Sequence, residues 1–334
     1  MKAIGLISGG LDSILAARIM KDSGIELIAL HTSSPFCLCN KRGSSGCVHS
    51  AQKAADDLGI RLININVSRE IIDIVKKPKY GYGSNMNPCI DCRILLFKKA
   101  KEAMSRENAS FVITGEVLGQ RPMSQKRDIM KLIDRESGLE GLVLRPLSAR
   151  VMEPTLAEEK GWIDRNKLLA ISGRGRKEQI SLARSFGVYD YPCPSGGCLL
   201  TDPQFSRRLK DLIKYGNIGL NEVNLLKVGR HFRINDKLKL VVGRNEKENQ
   251  QLLNLASSPD MLFLPPDDIA GPISLARGQI DNESRDFCCR IVSRYYDNHD
   301  SGPVKVVYKY FGDSQGKECI ISPAVDKEIQ DMKV

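Results

Sequence analysis

The chain has 334 residues, 42% of them hydrophobic and 27% charged, which is enough for a buried core and for two domains. No apolar run approaches the ~20 residues of a bilayer span, and the N-terminus opens on a strand-like segment without a leader pattern. A cytoplasmic chain with no membrane partner is therefore expected. With 50 Lys+Arg against 40 Asp+Glu the net charge is +10, which suits a polyanion such as RNA, or simply a basic enzyme.

In chain order, Ala3–Ile7 reads as a strand, Asp12–Asp22 as a helix and Leu27–His31 as a second strand. Ala51–Leu58 is a helix, Arg61–Val67 a third strand, Cys92–Met104 a helix and Phe111–Thr114 a strand. Such alternation predicts an α/β fold with a parallel sheet covered on both faces. The loops Ser8–Ser13, His31–Cys39 and Thr114–Gln125 then share the carboxyl edge, where sites of such sheets lie. Asp164–Phe186 reads as helical, interrupted by Gly173-Arg174-Gly175-Arg176, and Tyr191–Asp202 is irregular. Beyond about residue 205 the pattern changes: Phe232–Ile234 and Leu238–Val242 flank an Asn-Asp turn, Glu246–Leu255 is a polar helix, and Val304–Phe311 alternates as a strand. The expected division is 1–205, a linker over 206–226, and a smaller α+β module over 227–334.

The sharpest local feature is Ser8-Gly9-Gly10-Leu11-Asp12-Ser13, between the first strand and helix. Its glycines let backbone N–H groups approach phosphates, the helix N-terminus adds partial positive charge, and Asp12 supplies oxygen to Mg²⁺. The Walker spacing and its lysine are absent.

Ten cysteines in a reducing compartment point away from a disulfide framework and toward metal or thiol chemistry. Cys89-Ile90-Asp91-Cys92 stands at a helix N-terminus, which should stabilise thiolates. Cys193 and Cys198 form a second pair around glycines. Four such ligands suit structural Zn²⁺, and Cys89 or Cys198 could instead carry a persulfide with no metal. Cys37, Cys39, Cys47 and His49 form either another metal site or an incidental loop. Cys288 and Cys289 fall in a probable helix and read as core.

Ser-Gly-Gly-x-Asp-Ser resembles the PP-loop of ATP pyrophosphatases, which implies ATP binding at Ser8, Gly9, Gly10, Asp12 and Ser13 and AMP transfer to a substrate oxygen. In that superfamily the end of the second strand, here His31 and Thr32, lies by the adenine; an ordinary strand-end histidine is the alternative. Thr114-Gly115 is similar to the nucleotide-lining segment of tRNA thiolation enzymes, and Gly115–Gln120 with Ser124-Gln125 looks like tRNA 4-thiouridine synthetases. Asn87-Pro88-Cys89-x-x-Cys92 resembles the corresponding region of tRNA 2-thiouridylases. The likeness implies a 4Fe–4S cluster on Cys89, Cys92 and Cys198, with Cys193 as the alternative third or a fourth ligand. It also implies that a sulfide or a persulfide-carrying protein donates sulfur, that tRNA is the substrate, and that Asp12 and the three cysteines are catalytic; an oligomer is possible.

Two basic regions bear on RNA. Arg121, Arg145 and Arg150 stand in a charged run that either cradles phosphates or is a solvated face, whereas Arg174, Arg176 and Lys177 lie among glycines that favour RNA phosphates. From Phe205 to Gln250, eleven basic residues face five acidic ones, the strongest expected footprint. Around Gly243-Arg244-Asn245 and Asn249, residues 227–312 are similar to the RNA-binding domain of NFACT-type proteins, although Leu264-Pro265-Pro266 departs from that family's later His-containing segment. The expectation is an ATP-dependent tRNA thiolation enzyme. The rivals are a PP-loop enzyme that thiolates or amidates a small molecule or carrier, and a non-catalytic RNA-binding protein with ATP as a conformational ligand.

Overall fold

The computed structural model describes the whole chain except residues 38–45, 190, 192–196 and 298–301 and the side chains of residues 46 and 47. It divides into two compact units, Met1–Asp202 and Pro203–Val334.

The first unit begins β1 (Lys2–Leu6), α1 (Leu11–Asp22), β2 (Glu26–Ser33), α2 (Gly46–Leu58) and β3 (Arg61–Asn66). It continues through α3 (Ser68–Lys76), α4 (Cys89–Arg106), β4 (Phe111–Thr114), α5 (Arg127–Ser137), β5 (Val143–Leu144), α6 (Leu156–Glu159) and α7 (Lys177–Ser185). The sheet order is β3-β2-β1-β4-β5 and every pairing is parallel. Strand side chains alternate between faces. Ala3, Leu27, Ala29, Phe111 and Ile113 therefore meet α1, α2 and α7 on one side, while Ile4, Ile28, Leu30, Val112 and Val143 meet α4 and α5 on the other. Because β1 is flanked by β2 and β4, the order reverses at its carboxyl end, the place where such sheets hold ligands.

Two expectations change here. Asp164–Phe186 is not one interrupted helix: it holds a single 3₁₀ turn, Arg165–Lys167, and α7. Ile163, Leu168 and Ile171 are buried, so their spacing reflects irregular chain pressed into the core, and Gly173 at φ +85 ends any helical run. The 206–226 stretch read as linker carries α8 (Pro203–Tyr215) and α9 (Leu220–Leu225), both within the second unit. Their apolar faces bury Phe205, Leu209, Val223 and Leu225.

The second unit adds β6 (Arg230–Asn235), β7 (Leu238–Val242), α10 (Glu246–Leu255), β8 (Met261–Leu264) and β9 (Ser274–Gly278). It ends with α11 (Asn282–Ser293), β10 (Val304–Tyr310), β11 (Lys317–Ile321) and α12 (Asp326–Ile329). The antiparallel sheet runs β11-β10-β8-β9-β7-β6. Phe232, Leu240 and Phe263 pack with α11, where Cys288 and Cys289 are core residues; Val241, Leu262 and Leu275 pack with Leu252 of α10 and Leu225 of α9. Among the described residues no helix is long and apolar enough to cross a membrane.

Candidate active site

The loop between β1 and α1 is built from its own hydroxyls. Ser13 Oγ donates to the Gly10 carbonyl at 2.7 Å, and the Ser8 and Gly10 N–H groups each donate to a serine hydroxyl at 3.3 Å, on Ser13 and Ser8 respectively. Gly9 has φ +76, and a Cβ there would stand 2.5 Å from the Ser50 carbonyl carbon. Gly10 is the N-cap of α1, so the free N–H groups of the first turn face the loop's hollow. Asp12, in that turn, accepts from Gln120 Nε2 at 3.1 Å through Oδ2, while Oδ1 is buried with no hydrogen-bond partner. Burial pushes its carboxyl above the ordinary value, with Gln120, Arg176 and Arg121 pulling the other way. An orphaned carboxylate oxygen at a helix N-terminus that suits phosphates fits Mg²⁺, which takes oxygen ligands.

Thr114 is buried at the end of β4, and Gly115 lies so close to the loop that a Cβ would stand 2.5 Å from Asp12 C and O and from Ser13 N. His31, at the end of β2, is buried; its Nδ1 lies 3.1 Å from the Ile7 carbonyl, and Nε2 has no partner. Burial lowers its pKa, so the ring is neutral, donates from Nδ1–H and leaves Nε2 a free acceptor. Thr32 beside it is half-buried.

The cysteines gather through one stitched segment. Met86 N donates to Leu200 O at 3.0 Å, Asn85 Nδ2 to Thr201 O at 2.8 Å, and Leu199 N to Phe36 O at 2.8 Å. Cys198 is thereby carried to the start of α4, where Cys89 is the first residue and accepts from Asn87 Nδ2 at 2.9 Å. Cys89, Cys92 and Cys198 are free thiols whose charges act on one another. Burial pushes Cys92 up to about 12 and Cys198 up to about 11. At Cys92 desolvation thus outweighs the thiolate stabilisation expected of a helix N-terminus. Thiols are soft donors suited to a thiophilic iron–sulfur group, but among the described residues these three are not grouped closely enough to form a metal site by themselves. Cys193 and Cys39 lie outside the described residues, as does the side chain of Cys47. Cys37 is disulfide-bonded and its backbone bridges that of Cys198, so the chain at 36–37 is docked on 198–199.

Between the loop and the thiols runs Gly115–Arg121, whose charged partners the sequence reading missed. Glu116, 2% exposed, lies 3.3 Å from Arg93 Nε and 3.1 Å from Arg145 Nε. Arg145 also holds Asp134 of α5 by two bonds of 2.8 and 2.7 Å. Arg145 is thus neither a phosphate cradle nor a solvated face: it ties α5 to the site. Arg121 acts on Cys89, Cys198 and Asp12 alike.

In the second unit part of the expected basic footprint is held by partners within the fold, while Arg207, Lys210, Lys214, Lys237 and Lys247 stay exposed. Asp211 accepts from Arg233 at 2.9 and 2.7 Å and from Lys239 at 2.8 Å. Arg230 donates to Gly243 O, Arg208 to Leu226 O, Lys227 to Asn224, and Arg244 grips Glu248. The Gly243–Asn249 core is structural as well: Asn245 caps α10, Asn249 Oδ1 accepts from Ile273 N at 3.1 Å, and a Cβ on Gly243 would collide with that oxygen. Burial lowers Lys227 to about 8. Its folded pKa lies below its unfolded value, so the unfolded chain holds more protons between pH 8 and the ordinary 10.5. The burial penalty is full below that window and relieved above it. Stability therefore rises through this window, and Lys227→Met is expected to flatten that rise in urea titrations repeated across pH.

The Ser8–Ser13 loop at the switch point of a five-stranded parallel sheet defines the first unit as a PP-loop, Rossmann-like nucleotide fold, followed by a separate antiparallel unit. Residues 1–153 match the family described as thiamine biosynthesis protein (ThiI), and residues 229–332 match the NFACT protein RNA binding domain. The chain is 24% identical over 205 residues to a probable tRNA sulfurtransferase of Methanosarcina mazei, covering 61% of this chain and 43% of that protein. It is 33% identical over 101 residues to a tRNA-specific 2-thiouridylase MnmA of Beutenbergia cavernae, covering 28% and 27%. The chain thus spans less than half the length of either relative. A solved 4-thiouridine synthetase–RNA complex with bound ATP aligns at 21% identity and a TM-score of 0.37, over 68% of this chain and 52% of that one.

Proposed function

We propose that the chain is an ATP-dependent tRNA thiolation enzyme that replaces a uridine carbonyl oxygen with sulfur. The observation that carries this reading is that one short segment touches both halves of the chemistry. Gly115 packs on Asp12 and Ser13 and Gln120 bonds Asp12, while Glu116 pairs with Arg93, the neighbour of Cys92. In this reading the first unit binds ATP and handles sulfur, and the second holds RNA through backbone contacts that position without reading sequence.

The loop's N–H groups and hydroxyls hold the triphosphate, Asp12 offers its free oxygen to Mg²⁺, and His31 Nε2 and Thr32 face the adenine. The uridine oxygen attacks the α-phosphorus and pyrophosphate leaves, its charge met by the loop. A sulfur nucleophile then attacks the carbon, and AMP departs with the oxygen. Cys89, Cys92 and Cys198 would hold a 4Fe–4S cluster, which when bound would present inorganic sulfide as the nucleophile. Arg121 and Arg93 offset negative charge at the thiols.

Incubation of the anaerobically purified chain with tRNA, ATP and sulfide is expected to give AMP and a thiouridine by nucleoside mass spectrometry; neither product appearing would overturn the reading. Cys198→Ala should keep ATP binding and lose more than about 100-fold in thiouridine, beyond the 10–100-fold typical of losing a group behind a ligand.

A further inference from the structure

The segment ahead of α7 is not laid out as a surface cradle. Ser172 forms a parallel bridge with Leu118, and Gly173 N donates to Leu118 O at 2.7 Å. Gly119, at φ +76, comes so close that a Cβ on it would stand 3.5 Å from Gly173 N. The segment is therefore docked on the strip whose Gln120 bonds Asp12. From there the chain turns into α7, which packs against α1, the helix that starts at the PP-loop. Arg176 is the residue at that turn.

Its guanidinium reaches the nucleotide site. Nη2 lies 3.9 Å from Asp12 Oδ1, and both groups are 20% exposed. The contact satisfies neither partner: Arg176 Nε and Asp12 Oδ1 are both buried without a hydrogen bond. An ion pair this long leaves the fork of donors unspent. Buried polar groups are normally paired, so an orphaned Nε on one member of this contact and an orphaned Oδ1 on the other point to a third body at it. A planar, permanently charged fork beside a loop of upturned N–H groups fits phosphate oxygens. Arg174, two residues earlier, is exposed and has no such placement.

We propose that Arg176 is a phosphate-binding residue of the nucleotide site, gripping the phosphate chain of ATP beside Asp12 of the PP-loop, and is not an RNA contact. This rests on the reading that the loop binds ATP. In the free protein the guanidinium leans on Asp12; with nucleotide present its donors pass to phosphate oxygens.

The test is calorimetric titration of the full chain with ATP and with adenosine, beside tRNA binding by fluorescence anisotropy. Arg176→Met is expected to weaken ATP by about 10- to 100-fold, the loss of a charged hydrogen-bonded contact, while adenosine and tRNA bind as before. Arg176→Lys, which keeps the charge and loses the fork, should fall between, and Arg174→Met should bind ATP like the unaltered chain. Unchanged ATP affinity in Arg176→Met, or equal loss of ATP and adenosine, overturns the proposal; so does a loss confined to tRNA. Failure of the unaltered chain to bind ATP would instead strike the functional reading beneath it.

Discussion

Gly115→Ala is expected to lower ATP affinity by about 100-fold. The added Cβ would stand 2.5 Å from Asp12 C and O and Ser13 N, and these are backbone atoms with no rotamer to yield. Relief requires the end of β4 to move away from β1, or the loop to move away from β4. Overpacking of this kind costs about 1–3 kcal/mol, and the movement falls on the N–H groups that would hold phosphate, so the upper end converts to roughly two decades of affinity. Gly175→Ala is the matched control, since nothing lies within 4 Å of its added carbon. Calorimetric titration with ATP decides: equal affinity in Gly115→Ala and the unaltered chain would mean that nucleotide does not bind against this loop.

In the second unit the largest effect is expected from Asp211→Asn, about 3–5 kcal/mol of lost stability. Asp211 is 9% exposed and faces Arg233 and Lys239, at 16% and 8%. Burial alone would push its carboxyl up, but hydrogen bonds from both cations outweigh that and hold it below the ordinary value. Lys239 is lowered to about 8 by burial, against the pull of Asp211. The amide removes the one charge that holds two buried cations. Replacing all three residues by apolar ones of similar size should cost far less, because no ion is left stranded. Hydrogen exchange of β6 and β7 amides in the full chain measures both; equal protection in Asp211→Asn and the parent would refute the argument.

The parts of this fold that could be read in advance are those whose signal is local. β1, α1, β2 and the loop between the first two show buried apolar runs broken by Gly9-Gly10. What escaped depends on pairing across distance. Glu116, Arg93, Arg145 and Asp134 meet only after β4, α4 and α5 are packed, and a lone arginine in a charged run carries no mark of its burial. β5 has two residues, too few for any period. The stretch before α7 misled because buried Ile163, Leu168 and Ile171 imitate a helical spacing while the chain winds irregularly. For the basic residues from 205 to 250 a charge count along the chain does not record which are paired: Asp211 and Glu248 hold Arg233, Lys239 and Arg244.

The stitching of Leu199–Thr201 to Phe36 and to Asn85–Met86 has a consequence for how the protein is made. Cys89 and Cys92 emerge from the ribosome with the first half of the chain, but their companion Cys198 follows only after α7. Its seat is formed by backbone bonds to two segments synthesised long before. The seat of Cys198 is thus among the last parts of the first unit to be assembled, and a chain ending before it would carry the Ser8–Ser13 loop without that thiol.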